Sequence, residues 1–181
     1  PQNRERTFII CFRDENIWNT FQDPSSAPCS GKFASIFPPS RPEKRKHISE
    51  MLEKGKVDDK YYYRNAYFQK ELEESVLSRD TMYQWRRKYV RENKSDMCPT
   101  LTANMGTGGH NVPIIKDDHG IRKLTPRECF SLQGFPESYV LPEIATSQLY
   151  KQAGNAVTVA MIRKLAEALG EALDIKYNKK V

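Results

Sequence analysis

Between Val112 and Gly134 the chain carries more local structural instruction than anywhere else along its length. Two short apolar runs, Val112 to Ile115 and Ile121 to Leu124, flank Asp117-Asp118-His119-Gly120. Asp and Gly supply the geometry that reverses a chain within a few residues, so the spacing predicts a β-hairpin. Directly afterwards, Thr125-Pro126-Arg127-Glu128 sets a capping hydroxyl, a proline at the first helical position and a glutamate at the third. That pattern satisfies otherwise orphaned backbone N–H groups reciprocally and predicts a helix opening at Pro126. Gly134 supplies the stop, and Phe135-Pro136 leads into a loop. A hairpin running straight into a capped helix calls for a mixed α and β unit.

The remaining segments are marked by composition and periodicity, the last helix most clearly. Thr7 to Phe12 is an apolar run that fits a short β-strand, and a buried strand so close to the terminus needs partner strands. The chain therefore reads as beginning inside a domain. Pro, Ser and Gly between Trp18 and Pro42 predict a linker crossing between domains. Lys44 to Glu53 fits a short helix and Ala66 to Ser78 a clearer one, with Tyr61-Tyr62-Tyr63 between them. Tyr83 to Arg91 mixes aromatics and cations in imperfect alternation, as a strand or irregular segment lying against nucleic acid would. The plain alternative is a solvated face whose aromatics pack inward. Val157, Met161, Leu165, Leu169 and Ala172 repeat at helical spacing, with Arg163, Lys164, Glu167 and Glu171 on other faces. This predicts a final helix with that stripe as its core side, followed by a fraying polar tail from Lys176.

Composition narrows the partners. With 38% apolar and 29% charged residues the chain falls in the range of soluble globular proteins. No apolar run approaches the length of a bilayer span and no charged-then-apolar leader opens the sequence, so a soluble intracellular protein without a membrane partner is expected. Cys11, Cys29, Cys98 and Cys129 lie far apart with no CxxC pair, which predicts reduced thiols and no metal site. A formal net charge of +6 favours a polyanionic partner through counterion release, although a solvated basic surface carries the same charge.

Three separated segments resemble motifs of the DNA cytosine-5 methyltransferases, in that family's own order. Pro1-Gln2-Asn3-Arg4-Glu5-Arg6 with the following run is similar to the eighth motif, and Arg122 to Pro136 resembles the ninth. Ser147-Gln148-Leu149-Tyr150-Lys151-Gln152-Ala153-Gly154-Asn155-Ala156-Val157 is similar to the tenth. Thr100-Leu101-Thr102-Ala103 with the glycine-rich Asn104 to Asn111 looks like the entry to the family's target-recognition loops. The resemblance covers nearly the whole chain. It departs at Ala156, where many relatives have serine.

The resemblance implies the C-terminal part of such an enzyme. Its fold would be α/β, an incomplete S-adenosylmethionine-dependent methyltransferase domain plus a small irregular β-containing target-recognition domain. The implied layout is 1–17 as the eighth-motif strand of the catalytic domain, 18–42 as linker, and 43–146 as the recognition domain. Residues 147–175 would return to the catalytic domain, and 176–181 form the tail. Arg4 and Arg6 would support catalysis at the flipped cytosine's O2 edge, and Asn155 and Ala156 would contact S-adenosylmethionine. For Asn155 an ordinary cap at the start of the last helix is the simpler alternative.

Double-stranded DNA would be held by Arg86, Arg87, Lys88 and Arg91, with Lys94 beside them, and by Thr100, Thr102, Asn104, Gly106, Thr107, Gly108, Gly109, His110 and Asn111. The glycines would allow a close backbone approach to a phosphate or base. The family's glycine-rich cofactor loop, Pro-Cys nucleophile and Glu-Asn-Val motif have no counterpart here. Pro28-Cys29 lies after the eighth motif, inside the linker, and is read as an ordinary cysteine. An N-terminal catalytic half, upstream or as a separate subunit, is thus the expected partner, and a bacterial, cytoplasmic restriction-modification system the expected setting. A DNA-binding specificity module without methyl transfer is the alternative.

Overall fold

The computed structural model describes residues 8–10, 13, 46–64, 66–86, 88–93, 96–107 and 111–177. The chain divides into two compact units, Pro1–Glu5 with Lys44–Val157, and Arg6–Glu43 with Thr158–Val181. The first contains helix α1 (Gln69–Ser75), strands β1 (Met82–Arg86), β2 (Tyr89–Asn93), β3 (Ile114–Asp117) and β4 (Gly120–Lys123), and helices α2 (Pro126–Leu132) and α3 (Thr146–Asn155). Single 3-10 turns cover Ile48–Met51, Asp59–Tyr61 and Ala103–Gly106. The strands form one antiparallel sheet in the order β2-β1-β3-β4. Tyr62 adds an isolated bridge to Arg122 at the β4 edge.

The segment from Val112 to Gly134 folds as its residues dictate. Asp117 pairs with Gly120 across the turn, and its carboxylate accepts from the N–H groups of His119 (2.8 Å) and Gly120 (3.0 Å). Thr125 accepts from the Glu128 N–H at 3.2 Å while Glu128 accepts from the Thr125 N–H at 2.8 Å, closing the capping box. At the far end of α2, Gly134 has φ of 86°. Its N–H donates to Ser131 O at 2.8 Å, and the Phe135 N–H reaches Phe130 O at 3.1 Å. This is a Schellman stop, sealed by the Phe130 and Phe135 rings at 5.1 Å.

Both faces of the sheet are covered where β1 and β3 pair, which is why the adjacent Ile114 and Ile115 are both apolar. Successive side chains point to opposite faces. Met82 and Ile115 join Leu101, Met105, Val112, Leu124, Phe130 and Tyr150 on one side. Tyr83 and Ile114 join Phe68, Leu72 and Val76 on the other, where α1 lies. Arg122 interrupts the pattern, sitting on β4 at 1% exposure. Its guanidinium bonds the Glu128 carboxylate twice, at 2.7 and 2.8 Å, and its Nε donates to Asp117 at 2.6 Å. Glu128 accepts further from the N–H groups of Thr125 and Glu53 (3.0 Å), so its oxygens are fully partnered.

Helix α3 has no periodic signal strong enough to be read from sequence, yet it is firmly seated. A Cβ on Gly154 would lie 2.2 Å from the Thr102 carbonyl, and one on Gly106 would lie 2.3 Å from Ser147 O. Two glycines thus let α3 and the Ala103–Gly106 turn touch backbone to backbone. The fully buried Gln133 donates to Ala153 O at 2.8 Å and to Ala156 O at 3.4 Å, and the Tyr150 hydroxyl donates to Leu124 O. Gly106 therefore has a packing reason, where the sequence suggested a loop free to approach DNA.

Other expectations shift. Lys44 to Glu53 yields only the turn Ile48–Met51, capped by His47 and Glu50. The Ala66 to Ser78 helix contracts to α1, whose single fully buried side chain, Leu72, anchors one turn on the sheet. Asn155 ends α3 rather than capping a following helix.

In the second unit, residues 8–10 are described but belong to no strand, and Ile9 is 86% exposed. The predicted strand lacks a ladder partner among the described residues. Helix α4 (Val159–Tyr177) buries Leu165 and half-buries Ile162 and Leu169. Its covered stripe runs through Ile162, Leu165 and Leu169, while Val157 precedes the helix and Met161 is exposed. The linker 18–42 lies outside the described residues.

Candidate nucleic-acid interface

The β1–β2 hairpin sorts its mixed sequence by strand alternation. Cross-strand register pairs Met82 with Asn93, Gln84 with Arg91 and Arg86 with Tyr89, so these six share a face. Tyr83, Trp85, Val90 and Glu92 take the opposite face. Tyr83 is buried and accepts from the Ser78 N–H at 3.0 Å. Trp85 stacks on Phe68 with ring centroids 4.7 Å apart. Tyr83 and Trp85 are therefore structural, and Arg86 and Arg91 are left on the other side.

On that side the chain encloses a polar hollow of about 210 Å³, lined by Gln84, Arg86, Arg91 and Asn93 of the hairpin together with Pro99, Thr100, Thr102 and Asn111. Five residues singled out from sequence, Arg86, Arg91, Thr100, Thr102 and Asn111, meet there. Among the described residues no carboxylate lines it. Arg86 and Arg91 form no ion pair among the described residues, whereas Lys56, Lys60, Arg64, Arg79 and Arg122 all do. The wall is braced behind by Thr81, whose hydroxyl donates to Asn93 O at 2.6 Å, and by the Asn93 amide on Met97 O. Two exposed, unneutralised guanidinium groups beside hydroxyls and amides form a surface able to bind phosphate oxygens and base edges.

Gln84, Asn93 and Pro99 are the lining residues that sequence reading missed. Gln84 had an available signal, standing two positions before Arg86 on the same strand face. Lys88 is exposed at the hairpin turn. Asn104 and Thr107 are exposed on the Ala103–Gly106 turn, where the Thr107 N–H and hydroxyl both donate to Asn104 O at 3.0 Å. Arg4, Arg6, Arg87, Lys94, Gly108, Gly109 and His110 lie outside the described residues.

A larger hollow of about 390 Å³ sits between α1 and the β3–β4 hairpin. Its walls mix Glu73 with Lys116, and its Arg64 is already paired with Asp59, so it has no single-sign character.

At the end of α3, Asn155 is exposed and Ala156 half-buried. The Ala156 N–H donates to Gln152 O at 2.9 Å and its carbonyl faces Gln133, which leaves the Asn155 amide as the polar group open to a ligand. Because Asn155 closes a helix, the N-terminal backbone amides that would attract an anion are absent from its position. Both Cys98 and Cys129 are fully buried, and burial raises the pKa of each thiol, which disfavours the thiolate a nucleophile needs. Cys11 and Cys29 lie outside the described residues. Among the described residues there is no metal-binding group of His, Cys, Asp and Glu, and no helix long and apolar enough to cross a membrane.

Residues 1–171 match the family model of C-5 cytosine-specific DNA methylases, and the chain belongs to that family. It is 49% identical over 175 residues to the Type II methyltransferase M.Bsp6I of Bacillus sp. (strain RFL6), covering 96% of this chain and 51% of that protein. It is 32% identical over 181 residues to the Type II methyltransferase M.DsaV of Dactylococcopsis salina, with 99% and 46% covered. The chain thus spans about half the length of these curated relatives. Among solved structures it shares the fold of the S. pombe Dnmt2 methyltransferase, at a TM-score of 0.55 and 20% identity over 79% of this chain and 47% of that one.

Proposed function

We propose that this chain is the C-terminal portion of a restriction-modification DNA cytosine-5 methyltransferase, supplying target recognition and part of the active site. The observation that carries this reading is the hollow where, among the described residues, no carboxylate enters the lining and Arg86 and Arg91, without an ion pair, stand beside Thr100, Thr102 and Asn111. Relatives named as Type II methyltransferases, each about twice as long, support it.

In this reading the hollow docks duplex DNA, and a cytosine leaves the stack to be modified. Arg6, with Arg4 beside it, offers fixed N–H donors to the pyrimidine carbonyl and lowers the cost of charge building on the ring. The exposed Asn155 amide and small Ala156 would hold one edge of S-adenosylmethionine, whose role is to supply the methyl group. The thiolate that attacks the ring and the carboxyl that protonates it belong to the N-terminal catalytic half.

The purified chain alone should therefore transfer no tritiated methyl to DNA, and mixing it with an N-terminal catalytic half should restore transfer. Activity of the chain alone that survives Cys29→Ser would overturn the division of labour. In the completed enzyme, Arg86→Gln with Arg91→Gln should weaken binding to all duplexes and flatten the salt dependence by roughly one unit per lost contact. An unchanged salt slope would remove the hollow from the interface.

A further inference from the structure

The two arginines of the hollow are not equivalent in their placement. Arg86 is the last residue of β1, paired with Tyr89 beside the turn. Arg91 lies in the middle of β2, flanked on both sides by ladder residues and set opposite Gln84. A contact that only neutralises phosphate tolerates a mobile stem, whereas a contact that reads a base needs a fixed one.

We propose that Arg91 reads a guanine in the major groove of the target site, with Gln84 opposite it placed to brace the guanidinium on the DNA, while Arg86 serves the phosphate backbone. The inference rests on the hollow being the DNA face. A two-stranded ribbon fits the major groove, where guanine presents two acceptors, N7 and O6, to the parallel N–H donors of a guanidinium. Adenine and cytosine place an amino donor on that edge and thymine a single carbonyl, so the fork is unmatched there.

Gln84 suits the brace. Its side chain has no hydrogen-bond partner among the described residues, and its amide oxygen can accept one guanidinium N–H while leaving others for the base. A carboxylate in that position would hold Arg91 as an ion pair. The nearest acid in sequence, Glu92, is turned to the opposite face by strand alternation.

The test uses the complete enzyme and duplexes containing its methylated site, with each guanine replaced in turn by 7-deazaguanine, which removes the N7 acceptor. Wild type should lose roughly tenfold in affinity at one guanine, as expected for part of a bidentate contact. Arg91→Met removes the donors of the fork and should abolish that sensitivity, whereas Arg86→Met, which removes the same charge, should leave it whole. Gln84→Ala should shrink it. Full guanine sensitivity in Arg91→Met, or no sensitive guanine in wild type, would overturn the proposal. Should the Arg86→Gln, Arg91→Gln enzyme keep its affinity and salt slope, the hollow itself would be excluded as the DNA face, a result distinct from losing only the base-reading role.

Discussion

Arg122 shows how a single buried charge is made tolerable and what it then fixes. Taking an arginine out of water is costly unless its donors are all met, and here Glu128 meets two and Asp117 a third. Although burial opposes it, hydrogen bonding to Glu128 and Asp117 raises the Arg122 pKa above its usual value. Glu128→Ala leaves two buried guanidinium donors unmet, with only Asp117 still facing the charge, and urea unfolding should show a loss of about 3 kcal/mol. Arg122→Met with Glu128→Leu should cost less, because the two fully buried charges go together and Asp117, whose side chain is 20% exposed, keeps the Tyr62, His119 and Gly120 donors.

Asp117 gives this network a pH signature. Burial works against its ionisation, but donors from Arg122, the His119 N–H and Tyr62 prevail, so its folded pKa lies below the usual carboxylate range. A carboxylate depressed in the folded state contributes stability that is present above the unfolded pKa and lost as pH falls through the folded one. Asp117→Asn should therefore lower the urea midpoint at neutral pH, and the gap from wild type should close below about pH 4. A gap that persists unchanged at pH 2 would show that Asp117 acts only through its shape as a turn residue.

Elements differ in how far they are governed by their own residues. The hairpin and α2 were legible because every signal involved, from the Asp117 turn to the Gly134 stop, acts within a few positions. Helix α3 was not legible, since its N-cap, Ala145, makes no capping bond and Gly154 weakens it near the end. It forms because Gly154 and Gly106 admit close backbone contact and because Gln133 holds its last turn. Gly154→Ala should be far more damaging than the usual glycine-to-alanine change within a helix. Gly170→Ala on α4, where a Cβ meets nothing within 4 Å, should be neutral or stabilising. Thermal unfolding of the two variants separates a packing glycine from an incidental one. The shortening of α1 has a similar cause, because only Leu72 of that helix is fully buried and the flanking turns gain little from helical pairing.

At the scale of the molecule, the candidate site was half legible. The sequence shows cations mixed with aromatics, but not that strand pairing sends Tyr83 and Trp85 to one face and Arg86 and Arg91 to the other. Nor does spacing reveal that Thr100, Thr102 and Asn111 close around the same hollow, since that depends on the seating of Leu101 and Val112 in the core. This separation of faces makes the recognition segment exchangeable in principle, because the scaffold contributed by α2 and the Arg122–Glu128 pair lies outside Tyr83 to Asn111. Grafting Tyr83 to Asn111 from a relative of different specificity into the complete enzyme should move the methylated site. The graft must keep Leu101, Met105 and Gly106, whose positions meet the core and α3. Bisulfite sequencing of the products reads the outcome directly. A shift to the donor's site would assign sequence choice to the hollow and its neighbouring loop. Full-rate methylation of the original site by a folded graft would instead place it elsewhere, with Lys44 to Tyr63 the next segment to exchange.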